Sequence, residues 1–342
     1  MKKKKWALCI FAVILVSCAT KTLYVPVMQP AEINLRGYSN VAILGIRGSS
    51  MGDRVTTSVK EAIISSKHLQ VVEREKIDNV LFERGFDPSS ASQLSNLVAA
   101  DLLLTGKVLQ EDYDENMDSK KKTCTKYDQA GKPYNYECTE YTRKGSYRFE
   151  ATMDLVDVKN GSVIFTKRHF CKRTKETTAT KETYSDPDPP EIDKNALADS
   201  CVTEVSEVFV KAILPHMETM SADFKKDKNL PQLEMGIKYA QAGQWEDALA
   251  QFEAAVAQAS STSGLKGETK ARAHWDYGLA LMFNYRFEEA RKQFKLAFDA
   301  SGGNQSYLAE MGRCNKLEAD YKKLQEQGVV SSGEAPATAP VQ

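Results

Sequence analysis

An internal repeat constrains this chain more than any other feature. Gly236, Ala248, Phe252 and Ala255 recur 42 residues later as Gly278, Ala290, Phe294 and Ala297. Trp245-Glu246-Asp247-Ala248 returns as Phe287-Glu288-Glu289-Ala290, and Gly312 follows Gly278 by 34 residues. Small residues let paired helices approach closely, and the aromatics between them, Tyr239 among them, fill the gaps. One such pair cannot bury its apolar face alone. Residues 231–327 are therefore predicted to stack as an all-α array of about two and a half units.

These offsets resemble the tetratricopeptide repeat. The family's first-helix tryptophan and terminal proline are missing from their usual places, and Trp275 lies one position late. Leu324 stands where the third unit wants alanine, so that unit is expected to serve as a capping helix. The longer first interval predicts an extended loop at Ser260-Ser261-Thr262-Ser263-Gly264. The resemblance implies a concave groove for a peptide or helix of an envelope partner. Residues 328–342, rich in Gly, Ser, Ala and Pro, read as a disordered tail.

At the other end, Lys2 to Lys5 precede an apolar stretch, Trp6 to Ser17, that closes in Leu15-Val16-Ser17-Cys18. This resembles the lipobox of bacterial lipoproteins. The resemblance implies a signal peptide over 1–17 and diacylglycerol on the Cys18 thiol, and no other cofactor is expected. The stretch is too short to span a bilayer, which takes about 20 residues. Ala19, where inner-membrane retention typically uses Asp, favours the outer membrane, facing the periplasm. Residues 18–37, with Pro26 and Pro30 opposing regular structure, read as a lipidated tether.

Between tether and repeats lies an α/β pattern, placed at 38–218. Val41-Ala42-Ile43-Leu44-Gly45-Ile46 reads as a buried strand, Val55, Val59, Ala62 and Ile63 as a helix, and Leu69 to Val72 as a second strand. Ile77, Val80, Leu81 and Phe86, then Leu94, Leu97 and Ala99, continue as helix, and Leu102 to Val108 form a third strand. Tyr147, Phe149, Ala151, Met153 and Leu155 alternate with mostly polar neighbours, and Asn160-Gly161 turns the chain back into Val163 and Phe165. A helix from about Lys194 to Ala212 closes the domain, with Pro215 ending it. Residues 222–230 are charged and read as a linker.

Asn40 to Leu44, then Val71-Val72-Glu73-Arg74, then Ala99-Ala100-Asp101 before a strand, resemble the CsgG superfamily in order and kind. That group includes the curli secretion channel and related lipoproteins, some of them activators of peptidoglycan synthases. The resemblance implies a CsgG-like α/β (α+β sandwich) domain. It does not carry pore activity over. Residues 111–148 contain eight acidic and eight basic residues, and 172–193 is as polar. A lipid-facing barrel strand needs an apolar side chain at every second position.

The insertion 111–148 carries six of the 14 tyrosines. Tyr113, Tyr127, Tyr134, Tyr136 and Tyr141 are candidates for a partner or homo-oligomer contact, since tyrosine offers broad, fairly rigid contact area with a polar tip. In an oxidising compartment Cys124, Cys138, Cys171 and Cys201 read as two disulfides. Three pairings are open. Cys124–Cys138, 14 residues apart across a hairpin, with Cys171–Cys201, is favoured. Cys314 is expected to be a buried small side chain. Lysine plus arginine balance aspartate plus glutamate at 46 each, which argues against nucleic acid. No histidine pair has metal-ligand spacing, and no nucleophile elbow or phosphate loop is present, so neither a metal nor a catalytic residue is assigned. The sequence reading is a non-enzymatic scaffold of an envelope assembly. A ring-forming transport component and an activator of a peptidoglycan synthase are the alternatives.

Overall fold

The computed structural model describes residues 20–72, 100–183 and 186–331. Cys18, the helical pattern from Ile77 to Ala99, and the tail from residue 332 lie outside the described residues. Contacts divide the chain into two compact units. One is Ala31–Leu214; the other gathers the chain up to Pro30 and everything from Pro215 on. The α/β unit is thus an insertion within the helical one, which corrects the expected boundaries at 38–218 and 231–327.

Strand β1, Thr20–Gln29, is the reason. It pairs antiparallel with strand β7, His216–Lys225, with Leu23 opposite Ala222 and Pro26 opposite Thr219. The expected tether is therefore a strand. Leu23, Val25 and Val27 alternate inward, with Ala222 and Phe224 beside them, all within 2% of full burial. Pro26 is tolerated because it falls at a non-hydrogen-bonded site. The backbone N–H of Lys225 donates to Asp276 (2.8 Å) rather than to β1. Alternation then turns Thr219 and its partner Pro26 away from the ladder too. The expected linker at 222–230 fails for a related reason. Asp223 and Lys225 gave it a charged character while Ala222 and Phe224 hid on the opposite face. Beyond the strand, Asp227 accepts from Thr269 (2.9 Å) and Arg272 (3.4 Å), and Leu230 is fully buried.

Among the described residues, five helices complete this unit: α3 Pro231–Gln241, α4 Trp245–Ser261, α5 Gly267–Phe283, α6 Phe287–Ala300 and α7 Gln305–Glu326. The repeat shows in one contact made twice. A Cβ on Gly236 would stand 2.6 Å from the Phe252 ring, and one on Gly278 would stand 2.6 Å from the Phe294 ring. Ala248, Ala255, Ala290 and Ala297 are fully buried, and Trp245 and Phe287 nearly so. Gly312 faces open space: among the described residues, no helix follows α7 to press on it. Cys314 is free and buried on α7. The extra residues of the first interval are not a loop alone: Ser260 and Ser261 stay helical, and α5 starts early enough for Thr269 and Arg272 to reach Asp227.

The α/β unit is a five-stranded mixed sheet in the order β3-β2-β4-β5-β6. Its strands are β2 Asn40–Arg47, β3 Gln70–Val72, β4 Leu102–Tyr127, β5 Pro133–Asp157 and β6 Ser162–Lys181. The first three run parallel, the last three antiparallel. Helices α1, Ser50–Ser66, and α2, Lys194–Ile213, cover one face. Ser49 and Asp193 cap their first turns. Val55, Val59 and Ile63 of α1 and Val205, Phe209 and Ile213 of α2 meet Tyr147, Phe149, Ala151, Met153 and Leu155 of β5 in one core. Cys171–Cys201 (Cα–Cα 5.5 Å) ties β6 to α2, and Cys124–Cys138 (5.9 Å) ties β4 to β5, the favoured pairing. Among the described residues, no helix is long and apolar enough to cross a membrane.

Candidate functional site

Two surfaces are candidates for binding: the repeat groove and the arm formed where β4, β5 and β6 run on past their helices.

The repeat groove is filled by the chain itself. Backbone carbonyls of β7 at Ser221 and Asp223 accept from Arg313 (2.8 Å) and the Trp275 indole N–H (2.7 Å), and the Lys225 N–H goes to Asp276. Helix side chains thus satisfy three successive outward-pointing groups of a strand edge. Phe224 stacks on Phe252 at 5.5 Å between centroids, and the Lys225 ammonium lies over the rings of Trp275 and Tyr307 at 5.0 and 4.7 Å. Asp276 is fully buried, and burial raises its pKa well above the ordinary carboxylate value despite the Lys225 N–H and the Lys225 and Arg272 charges. The expected peptide groove is therefore closed by β1 and β7. Sequence reasoning missed Asp276, Arg313 and this role of Trp275. The signal available was the alternation of Leu23, Val25, Val27 and of Met220, Ala222, Phe224.

The arm has two unlike faces, set by strand alternation. Tyr113, Tyr127 and Tyr141 share the helix-side face with Tyr147, while Tyr134 and Tyr136 lie on the opposite one. The five candidate tyrosines therefore do not form one surface. Tyr147 is core, its hydroxyl on Glu111 (3.1 Å). Gly145 is buried as well, so the insertion 111–148 overlaps the core at its far end. Residues 186–193 cover much of the helix-side face. Arg143 donates to the Pro189 carbonyl (3.3 Å), Thr177 to that of Pro190 (2.6 Å), and Lys181 pairs with Asp188 (2.5 Å). Tyr113 donates to Glu115, which Arg143 also holds (2.6 Å). Burial, then this bond, pushes the Tyr113 pKa up to about 12, and the Tyr113 and Arg143 bonds lower that of Glu115.

The opposite face is a ladder of paired charges. Arg148 bridges Asp112 (3.1 Å) and Asp114 (2.6 Å), Lys144 meets Glu176 (2.6 Å), Arg168 meets Glu150 (2.5 Å), and Lys122 meets Glu140. Near the tip, the Cys124–Cys138 disulfide sits among Tyr134, Tyr136 and Lys126, whose ammonium lies 4.8 Å from the Tyr136 ring centre. Tyr127 and Tyr134 are 71% and 49% exposed, enough to meet a partner.

His169 shares Glu204 with Arg173, pinning β6 to α2; the bond from His169, then those from Arg173, lower the Glu204 pKa. Among the described residues, no group of three His, Cys, Asp or Glu is placed to hold a metal.

Residues 33–124 match the family model described as curli production assembly/transport component CsgG. That span holds β2, α1, β3 and most of β4, so the start of the α/β unit is CsgG-like. No curated protein matches the chain. Among solved structures, lipoprotein GNA1162 from Neisseria meningitidis is 10% identical (TM-score 0.27), covering 50% of this chain and 98% of that one. The LpoB C-terminal domain from Salmonella enterica is 12% identical (TM-score 0.25; 39% and 82%). A PelC dodecamer from Paraburkholderia phytofirmans is 13% identical (TM-score 0.24; 56% and 97%).

Proposed function

We propose that this protein is a non-enzymatic lipoprotein scaffold of the bacterial envelope. It is anchored through diacylglycerol on Cys18 to the periplasmic side of the outer membrane and offers the open face of its arm to a partner protein. The observation that carries this reading is the arm itself: a strand pair extended past its core and cross-linked near the tip, with two tyrosines on the uncovered face. A cross-link lowers the ordering cost that a flexible hairpin would bear on binding. The CsgG-like match supports a place in an envelope assembly. The helical unit is read as tetratricopeptide-like, supported by the Gly236–Phe252 contact recurring at Gly278–Phe294. Because strand β7 packs along α5 and α7, the helical unit is not read as the partner site.

A photo-crosslinking residue at Tyr136 in cells is expected to capture an envelope protein, and the same residue at Tyr113 none. Capture at neither, or equally at both, overturns the reading. A second reading, a ring of identical chains, is favoured by β6 standing as a long strand at the sheet edge. The mass of the lipidated protein in mild detergent separates the two. A scaffold gives one or two chains. A ring gives many, and loses them when residues 119–141 are excised and replaced by a short turn.

A further inference from the structure

We infer that the helical unit is what this protein lays against the lipid surface. The contact is the Thr20–Lys225 end of the β1–β7 ribbon and the basic turn beside it. The inference rests on the Cys18 lipid of the proposed function.

Chain length carries the first step. Thr20 already belongs to β1 and pairs with Lys225. Two residue steps separate it from Cys18, and an extended chain covers at most about 3.6 Å per residue, about 7 Å in all. A thiol whose acyl chains enter the bilayer therefore holds Thr20 at the headgroups. The strand cannot lengthen this leash cheaply. Freeing β1 would expose Leu23, Val25 and Val27, each at least 98% buried, and uncover Ala222 and Phe224. The 18–37 segment is thus not a spacer that lets the protein reach into the periplasm.

Charge carries the second step. Lys21 and Lys228 are exposed at this end, with half-buried Lys226 between the strand and α3. Of the neighbouring carboxylates, Asp227 has its side chain buried against Thr269 and Arg272, and Asp223, which accepts from Thr22 (2.6 Å), stays exposed but is outnumbered by Lys21, Lys226 and Lys228. Lys226 shares Glu234 across 3.8 Å, an exposed pair. The outward charge is therefore basic, the sign that anionic phospholipid attracts. The chain leaves for the α/β unit, and returns from it, at the other end of the ribbon, after Gln29 and before His216. Ten residues of strand, about 30 Å, separate those exits from the anchored end within the ribbon itself.

The test uses the full-length lipidated protein in phosphatidylethanolamine vesicles, with and without phosphatidylglycerol, containing a photoactivatable phospholipid. Adducts are mapped by peptide mass spectrometry. The same spectra report whether Cys18 carries acyl chains, so failure of the anchor is seen separately from failure of the orientation. The expected result is a lipidated Cys18 with adducts concentrated at 20–22 and 226–229, several-fold above those at 119–141. Phosphatidylglycerol should raise the yield, and Lys21→Glu combined with Lys228→Glu should abolish that rise. A lipidated Cys18 with adducts on 119–141, or with none at 20–22 and 226–229, overturns the inference.

Discussion

The molecule contains two antiparallel two-stranded ribbons that solve one problem in opposite ways. An isolated ribbon is marginal in water, because each strand has one neighbour and no face is buried. The β1–β7 ribbon is held by a helical platform: one face is apolar and covered, and side chains of α5 and α7 cap its outer edge. The outer β4–β5 hairpin has no platform on its open face. At its outer end, near Thr139 where β6 stops, it is held by the Lys122–Glu140 pair and by Cys124–Cys138. Both ions of that pair are a third or more exposed, where a pair contributes about 0–1 kcal/mol, so the covalent bond is the clamp that counts. Burial fixes a position permanently. A cross-linked, charged ribbon stays soluble with its face free, which is the condition a docking arm has to meet.

The comparison is broken most severely by taking away what the first ribbon rests on. Phe224→Ala removes a fully buried ring stacked on Phe252, and should destabilise the helical unit by about 3–5 kcal/mol. Denaturant unfolding measures the loss. Hydrogen exchange should show the amides of 20–29 losing protection first, although β1 lies almost 200 residues away in sequence. Unchanged protection in β1 would mean that the ribbon does not depend on its apolar face.

The two disulfides allow an intermediate test. Each closes a loop of tens of residues or fewer, for which the chain-entropy account gives about 3 kcal/mol. Their settings differ, however. Cys171 and Cys201 are both buried in the α/β core, so replacing both by serine should lower the stability of that unit by roughly this amount. Cys124→Ser with Cys138→Ser should leave global stability nearly unchanged, because the hairpin tip touches no core, and should instead raise exchange of the 116–143 amides. Equal losses from both pairs would show that the arm is folded into the core after all.

Much of this was readable from residue spacing. Strand β5 announced itself by Tyr147, Phe149, Ala151, Met153 and Leu155, and α2 by Ala198, Val202, Val205 and Phe209, because each element buries one side of a regular period. The 42-residue recurrence marked the helix pairs for the same reason. The β1–β7 ribbon was not read, and its physics explains why. Its two strands are local sequences of ten residues, with a proline in one and charges in the other, and each looks irregular alone. Only their pairing makes Leu23, Val25 and Val27 continuous with Met220, Ala222 and Phe224. The split of the tyrosines had a simpler cause. Tyr134 and Tyr136 occupy even positions while Tyr113, Tyr127 and Tyr141 occupy odd ones. Across one hairpin, a parity count alone separates the faces once the register is known.

The subtlest way to sharpen the comparison is to ask how the edge of β7 is capped. The Lys225 N–H donates to a carboxyl group fully buried on α5, and among the described residues that carboxyl's second oxygen, Oδ2, has no hydrogen-bond partner. Desolvation makes the ionised form costly, so the folded-state pKa stands above the unfolded one. The folded state then holds the proton more tightly. The stability of the helical unit should be greatest below the ordinary carboxylate pKa and fall as pH rises from there through the raised folded value. This is the reverse of the Glu204 cluster, whose lowered pKa favours the folded α/β unit above the ordinary range and loses that advantage on acidification. Asp276→Asn keeps an acceptor for the Lys225 N–H but cannot ionise. It should stay within about 1 kcal/mol of the native protein in acid while losing the decline toward neutral pH. Hydrogen exchange of α5 followed from pH 4 upward reads that slope directly. A variant that keeps the native slope would place the titrating group elsewhere.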